Sequence, residues 1–386
     1  MCGLSFAPVS NLYCYAEEEM TYEEIEQKLT ETINQQLGDL DFSQFEDILT
    51  SLDENQSAIF GSGSFFEKLQ ELTSGINDSS SNFWTVIVNL FFEDILQFLP
   101  LLSSIIAIAI AYSLVSNVKP KLKNNSIGDV IHFVCYGAII TLAMSSVLSM
   151  ITTTTSTISS IKSQMDISFP LLLTMLTATG SFTTTSVFQP SMALLSGAVM
   201  TIFTNILMPL FIFRLVFSIL SNLTSNVKFN KFADLFSTIF KWVVGFIFTI
   251  FLGFMTIQGI SAGTFDGVSI RAAKYAVKNS VPILGGFLSD GMNLILSSSI
   301  LIKNAIGVGG ILLLFATVVI PIIKLIVFMF ILKFCAAILE PLADSRISNF
   351  LSMLAKSIPL LIVVVLGVAF MYLVIVGLVV GSGNYF

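Results

Sequence analysis

Long uninterrupted runs of apolar residues constrain the fold of this chain more than any other feature. Many of them approach the roughly 20 residues that a helix needs to cross the hydrocarbon core of a bilayer. Hydrophobic residues make up 54% of the chain and charged residues 11%, whereas a soluble domain usually carries about 25% charged residues. The sequence therefore predicts an all-α fold, a polytopic transmembrane helix bundle with lipid around most of it.

Charge is distributed unevenly along the chain. Residues 17–78 contain 16 Asp and Glu but two Lys, whereas residues 79–386 contain nine Asp and Glu and 16 Lys and Arg. The two parts therefore carry net charges of −14 and +7, which places a domain boundary near residue 80. An acidic head does not suit nucleic acid, whose phosphates attract Lys and Arg. We predict no nucleic acid partner.

The region before this boundary divides into a leader and a head. Residues 1–16 end like a secretory signal peptide but lack Lys and Arg, so they are predicted to be a signal peptide or a truncated leader. Residues 17–80 are predicted to form a small helical head, in which Ser64 and Glu67 have the spacing of a capping box. A head of this size buries little core by itself. We expect it to pack on a partner or on the membrane face; a solvated acidic spacer is the alternative.

The remainder is predicted to cross the membrane about six to eight times. Residues 81–98 are predicted to form an interfacial amphipathic helix, followed by the transmembrane bundle over 99–386. Three lysines directly follow the first span, 99–118, and the positive-inside rule then places the head outside the cytoplasm. The Ser/Thr-rich residues 152–168 are predicted to be an outer loop. Residues 169–188 form either a full span or a re-entrant segment.

Residues 263–303 differ from their surroundings because glycine, proline and charged residues interrupt the apolar pattern. This pattern predicts a broken or re-entrant helix lining a cavity and leaves open whether 281–301 is re-entrant. The candidate glycine breaks are Gly263, Gly267, Gly285, Gly286 and Gly291. Arg271, Lys274 and Lys278 are spaced to lie along one helix face. This basic stripe either lines a cavity or belongs to an interfacial helix on anionic headgroups.

Three charged residues are predicted at membrane depth: Asp290, Lys303 and Lys324. Ionisable groups are costly there and usually face a bundle interior or an aqueous path. We therefore treat all three as candidate pathway charges. For Asp290 and Lys303 the alternative is an interfacial position, and Lys324 requires either a partner carboxylate or water.

Several kinds of chemistry lack the residues they need. The chain has one histidine, His132, which excludes zinc sites built on paired histidines. Because His132 lies in an apolar helix, we interpret it as a packed residue and not as the base of a Ser-His-Asp triad. It has no phosphate-binding loop of the GxxxxGK[ST] type. We predict no catalytic residues, no metal, no cofactor and no enzymatic activity.

A family resemblance is most specific over 258–310 and extends over about 80–386. The residues that carry it are Gln258-Gly259, Phe265-Asp266-Gly267, Arg271-Ala272-Ala273-Lys274-Tyr275-Ala276, Val281-Pro282, Gly285, Ser289-Asp290 and Leu301-Ile302-Lys303-Asn304-Ala305-Ile306-Gly307. These residues, and the order of leader, head and polytopic region, resemble the stage III sporulation protein AE family of endospore-forming bacteria.

The resemblance implies a function that the composition of the chain does not predict. It implies a subunit of the stage III sporulation A complex, in the mother-cell membrane that surrounds the forespore, with the head in the space between the two membranes. Such a complex is expected to form a channel or secretion-like conduit needed for late forespore gene expression. The implied partners are the other subunits of the complex, including ring-forming subunits and a secretion-type ATPase, and the lipid bilayer.

Two other functions remain open from the sequence. One is a stand-alone ion-coupled secondary transporter that uses Asp290 or Lys303. The other is a membrane scaffold that conducts nothing and recruits the partners of the complex through its head.

Overall fold

A computed structural model describes residues 22–61, 63–74, 83–118, 125–223, 229–280, 285–342 and 345–382. In those ranges all regular structure is helical. Between 259 and 292 the side chain of Tyr275 alone is described. The predicted leader, 1–16, lies outside the described residues.

Four short helices form the head, as predicted. They are α1 (Tyr22–Gly38), α2 (Ser43–Ser51), α3 (Glu54–Phe60) and α4 (Phe65–Ser74). The capping box before α4 is confirmed, because the Glu67 N–H donates to Ser64 Oγ at 3.1 Å and the Ser64 N–H donates to Glu67 Oε2 at 3.0 Å. Phe45 and Phe65 stack with their ring centroids 4.0 Å apart. Burying these rings gives the head its small core.

The second part is the predicted bundle of long helices. They are α5 (Phe83–Val118), α6 (Asn125–Ala178), α7 (Phe182–Ile202), a π-helical turn (Phe203–Leu207), α8 (Met208–Leu223), α9 (Asn230–Ser280), α10 (Gly285–Leu342), α11 (Ser345–Ala355) and α12 (Ile358–Gly381). Among the described residues, six helical stretches are long and apolar enough to cross a membrane. This number lies at the lower end of the predicted range. The chain is therefore a polytopic helical membrane protein.

α10 is the central helix of the bundle, because α5, α6, α9, α11 and α12 all pack against it. α6 runs antiparallel to α10, since Gln164 contacts Thr317 and Ser168 approaches Gly310. α12 is also antiparallel to α10. The space for this packing comes from Gly310, where a Cβ atom would lie 2.6 Å from the Tyr372 hydroxyl.

The predicted outer loop at 152–168 is wrong, because α6 continues through it without a break. The hydroxyls of Thr152, Thr154 and Thr155 donate to backbone carbonyls one turn earlier, at 2.8–3.1 Å. Hydroxyl groups bonded in this way are compatible with a helix. The chain reverses instead near Gly180, whose φ of 76° lies in the left-handed region. That turn divides the predicted segment 169–188 between α6 and α7.

Two further segments are longer helices than predicted. Residues 83–98 are the first part of α5, which continues through Pro100 to Val118, so they do not form a separate interfacial helix. The predicted break at Gly263 and Gly267 is also absent, because α9 runs through both positions. A glycine inside a helix costs only about 1 kcal/mol relative to alanine, which does not interrupt a long helix.

The other predicted glycine breaks fall in α10. Gly285 and Gly286 begin that helix, and Gly291 lies within it, so most of the segment 281–301, whose re-entrant character the sequence left open, is the first part of one continuous helix. Residues 281–284, which precede it, are outside the described part of the chain. Backbone hydrogen bonding in α10 is therefore not interrupted at Gly291.

The head packs against α10 of its own chain. Gly309 leaves the room for this contact, because a Cβ atom there would lie 3.2 Å from both Phe65 and Leu69. The Ser299 hydroxyl also donates to Gln36 Oε1 at 3.2 Å. The sequence suggested a docked head, and its docking surface is the bundle itself.

Candidate functional site

The exposed side of α6 is polar or small along about half of the helix. No exposed large hydrophobic residue occurs between Leu148 and Phe182 in the described chain. The exposed residues of this stretch are Ser149, Thr152, Ser156, Ser159, Ser160, Ser163, Asp166, Pro170, Thr174 and Ala178. We call this set the α6 polar face. It belongs to a helix that also contains an 18-residue stretch apolar enough to cross a membrane.

A groove between α6 and α7 lies on this face. Its volume is about 540 Å³, and Asp166, Thr174, Gln189 and Ser196 contribute polar groups to its lining. Asp166 accepts hydrogen bonds from the Lys162 ammonium and from the Ser196 hydroxyl. The side chains of Lys162 and Asp166 remain 33% and 45% exposed. An exposed ion pair on a membrane-type helix indicates water or a polar partner beside it.

Buried polar groups connect five helices near the same height. Gln164 Nε2 donates to Thr317 Oγ1 at 2.6 Å, and the hydroxyls of Ser168 and Tyr372 lie 2.8 Å apart. Across the bundle, Gln258 Nε2 donates to Ser191. Together with the hydrogen bond from Ser196 to Asp166, these bonds tie α6, α7, α9, α10 and α12 together. Such bonds hold membrane helices in register.

Two amide oxygens in this layer have no hydrogen-bond partner among the described residues. They are Oε1 of Gln164 and Oε1 of Gln258. A buried oxygen without a partner is costly unless water reaches it. The layer is therefore more polar than packing alone requires.

The exposed side of α9 has the opposite character. Its exposed large hydrophobic residues, which we call the α9 apolar face, are Phe232, Leu235, Ile239, Trp242, Phe246, Ile250, Leu252, Phe254 and Ile257. A cavity of about 280 Å³ between α7, α9 and α12 is also lined almost entirely by apolar side chains, among them Phe203, Phe248 and Met371. Large apolar side chains in this density suit contact with lipid acyl chains.

Comparison with known proteins agrees with the resemblance found over 258–310. The family model described as stage III sporulation protein AE matches residues 64–383. The chain belongs to the stage III sporulation protein AE family. A relative from Bacillus subtilis (strain 168), named stage III sporulation protein AE, is 28% identical over 317 residues, which cover 82% of this chain and 79% of the relative. No solved structure matches the chain.

In this family member, Lys303 is accounted for by a structural contact. Lys303 is fully buried, and its ammonium donates to the carbonyl oxygen of Ser382, just beyond the end of α12. Carbonyl groups at a helix C-terminus carry partial negative charge and attract a cation. The contact explains why a lysine is buried here, while its predicted role in a pathway stays a prediction.

For Lys324 the sequence left two partners open, a carboxylate or water, and the described residues include a carboxylate within electrostatic range. Asp94 of α5 is buried and lies within electrostatic range of Lys324 of α10, although the two groups do not form an ion pair, and its Oδ2 has no hydrogen-bond partner among the described residues. Leu90, Asp94 and Phe98 are all buried, so they share the side of α5 that faces the bundle. Because 81–98 was interpreted as an interfacial helix, the sequence analysis did not consider Asp94 as a carboxylate near Lys324.

For the remaining predicted site residues the structure gives the helix on which each lies and no side-chain position. Arg271, Lys274 and Lys278 lie on α9, and Asp290 lies in the first turns of α10. Their side chains are outside the described part of the structure, so the basic stripe and Asp290 stay predictions.

One buried cation was missed by the sequence analysis. Arg214 of α8 is buried, and its guanidinium donates to Ser357 Oγ at 2.8 Å and to the Ala233 carbonyl at 3.2 Å. These bonds join α8 to α9 and to the start of α12. The signal was available, because Arg214 is the one charged residue between Asp166 and Lys228.

Within the described residues, no group of three or more His, Cys, Asp or Glu side chains is arranged to hold a metal ion. The polar groups found together are hydroxyls, amides and one ion pair. Such groups hydrogen-bond water and polar solutes.

Proposed function

We propose that this protein is a membrane subunit of a channel or secretion-like complex that links the mother cell and the forespore. In this proposal it lies in the mother-cell membrane around the forespore and supports late forespore gene expression. Its head faces the space between the two membranes, while Phe65 and Leu69 pack into the bundle against Gly309, and its partners are ring-forming subunits and a secretion-type ATPase. Family membership supplies the sporulation context for the proposal.

The structural observation that carries the proposal is the polar groove on the bundle. A membrane helix that only anchors a scaffold has no need of an exposed ion pair beside a groove of about 540 Å³ in which Asp166, Gln189 and Ser196 lie among apolar side chains. Polar surface of this kind is expensive against lipid and is useful beside water. A subunit that contributes to an aqueous conduit accounts for both features.

Co-purification from sporulating cells tests the proposal. An affinity-tagged chain that replaces the native copy should retain other stage III sporulation proteins after mild detergent extraction. A matched strain should carry the same tag on an unrelated polytopic protein. Recovery of the tagged chain alone from sporulating cells would contradict the proposal.

A late forespore reporter then separates a working conduit from the alternatives. Cells that lack the chain should complete engulfment but fail to express the reporter, and the wild-type gene should restore it. A stand-alone transporter would instead move a solute in vesicles that contain no other sporulation protein. A scaffold would lose partner recruitment when residues 17–80 are deleted.

A further inference from the structure

The α6 polar face and the α9 apolar face lie at the same height in the bundle. Asp166 of α6 accepts a hydrogen bond from Ser196 of α7, and Ser191 of α7 accepts one from Gln258 of α9. Ser191 and Ser196 are separated by only about 7.5 Å along the helix axis. Asp166 and Gln258 are therefore at nearly equal depth, on opposite sides of α7.

A second chain of contacts gives the same alignment. On α12, Gly367 packs against Phe248 of α9, and Tyr372 bonds to Ser168 of α6. Gly367 and Tyr372 are again about 7.5 Å apart along the axis. If lipid surrounds Phe246 and Ile250 on α9, then Ser163 and Asp166 on α6 lie at membrane depth as well.

Hydroxyl groups alone would not decide what covers the α6 polar face. Thr152 and Thr174 donate to carbonyls one turn earlier in α6, and hydroxyls satisfied in this way are tolerated beside lipid. A charged side chain cannot be satisfied by a backbone carbonyl of its own helix in this way. Lys162 and Asp166 are partly exposed, and Gln189 is exposed beside them in the groove. These three side chains require water or polar protein at this depth.

We propose that the α6 polar face is the wall of a water-filled path at membrane depth. Its occupant is water and small polar solutes. The two charged residues between 149 and 178 are Lys162 and Asp166, which pair with each other. The wall therefore carries no net charge and does not select solutes by the sign of their charge. Its place in a conduit between two cells rests on the proposed function.

Cysteine accessibility in native membranes tests the wall. Single cysteines replace Ser156, Ser163 or Thr174 on α6, and Phe246, Ile250 or Phe254 on α9, in a background whose four native cysteines are changed to serine or alanine. Membranes are treated with a small, membrane-impermeant cationic methanethiosulfonate. Unmodified thiols are then counted by a mass-tagged maleimide after denaturation.

The α6 cysteines should react at least about tenfold faster than the α9 cysteines, because only a hydrated thiol forms the reactive thiolate. Equal, slow reaction on both faces would overturn the proposal in favour of lipid. Fast reaction in membranes that contain the chain alone, with protection in membranes from sporulating cells, would overturn it in favour of a protein interface.

Charge selection gives a second measurement on a further single-cysteine variant of the α6 polar face. An anionic methanethiosulfonate should modify Ser159→Cys about as fast as the cationic reagent does. In Ser159→Cys with Lys162→Met, the unpaired Asp166 should raise the cationic-to-anionic rate ratio several-fold, with Lys162→Arg as the matched control. A ratio that Lys162→Met leaves unchanged would contradict a shared aqueous wall.

These measurements fail independently of the proposed function. If the α6 cysteines react but no sporulation protein co-purifies, the proposal of a water-lined wall is supported and the proposed role in a conduit is contradicted. If the α6 cysteines do not react but the partners co-purify, only the proposal of a water-lined wall is contradicted.

Discussion

α6 and α9 are both long helices of the same bundle, yet they expose opposite kinds of surface. Between Leu148 and Phe182 the exposed residues of α6 are polar or small, whereas α9 exposes tryptophan, phenylalanine, isoleucine and leucine at matching heights. Both helices contain a stretch with the mean hydropathy of a membrane span. Average hydropathy therefore identifies a membrane helix without telling which of its sides meets lipid.

The difference arises from what each helix buries. α6 turns Ile158, Ile161 and Leu172 into the core, together with Thr154, Thr157 and Ser168, and leaves other hydroxyl residues such as Ser156 and Ser163 exposed. α9 buries a narrower set, including Phe240 and Phe251, and has apolar residues on its outer side as well. An apolar outer side is what contact with acyl chains requires, and a polar one indicates another neighbour.

The largest expected effect comes from a lysine placed on each face. We expect Phe246→Lys to destabilise the inserted protein by about 2.5–3.5 kcal/mol, the cost of a charge near the bilayer centre. Ser156→Lys should cost much less, because water can solvate its ammonium. Protein level in membranes and resistance to SDS-induced unfolding measure both variants. Equal losses would break the comparison between the faces.

A second prediction concerns the packing of α10 against α12, in the core between the α6 polar face and the α9 apolar face. Gly310→Ala places a methyl group 2.6 Å from the Tyr372 hydroxyl, and overpacking of this kind costs about 1–3 kcal/mol. Gly245→Ala on α9 meets nothing within 4 Å and should be neutral or slightly stabilising. Thermal unfolding in detergent compares the two. A stable Gly310→Ala variant would show that the seam between α10 and α12 is looser than described.

A third, smaller effect tests whether Lys324 stabilises the buried carboxylate of Asp94. Lys324→Met leaves the Asp94 carboxylate without its counter-charge and should cost about 1–2 kcal/mol, less than a fully buried pair because Lys324 is partly exposed. Asp94→Asn combined with Lys324→Met should recover part of that loss. Lys333→Met, at an exposed position of α10, is the control and should change little. Additive effects of the two core substitutions would argue against their coupling.

The smallest effect probes the polar layer between the faces. Thr317→Val removes the acceptor of the Gln164 amide, and an interhelical hydrogen bond in a membrane protein is worth about 0.6 kcal/mol. Adding Gln164→Leu should restore stability, because the unpaired Gln164 oxygen is removed with the amide. A double-mutant cycle in detergent measures the coupling. No coupling would mean that water, not Thr317, satisfies Gln164.

The bundle and the head were predictable because their signals are local. Apolar length identified the membrane region, and the pairing of Ser64 with Glu67 located the start of α4. The loop at 152–168 was wrongly predicted because Ser and Thr are common in loops, although their hydroxyls can also bond along a helix. Helical spacing of Ser149, Thr152, Ser156 and similar residues was the signal that would have corrected it.

The candidate site was largely beyond the sequence, because it depends on contacts between distant helices. Lys324 was identified as needing either a carboxylate or water, and the carboxylate in its electrostatic range, Asp94, lies more than 200 residues away in sequence. The pairing of Lys162 with Asp166 was readable from their spacing, while the contact of Asp166 with Ser196 required the turn at Gly180. No local pattern predicts which side of α6 other helices cover.

Spin-label accessibility in lipid nanodiscs tests the contrast between the two faces most directly. A label at Ser163→Cys and one at Ile250→Cys are compared for relaxation by oxygen, which concentrates in hydrocarbon, and by a water-soluble nickel chelate. We expect the label at position 163 to favour the nickel chelate and the label at 250 to favour oxygen. The same preference for oxygen at both positions would contradict a bundle with one water-facing side.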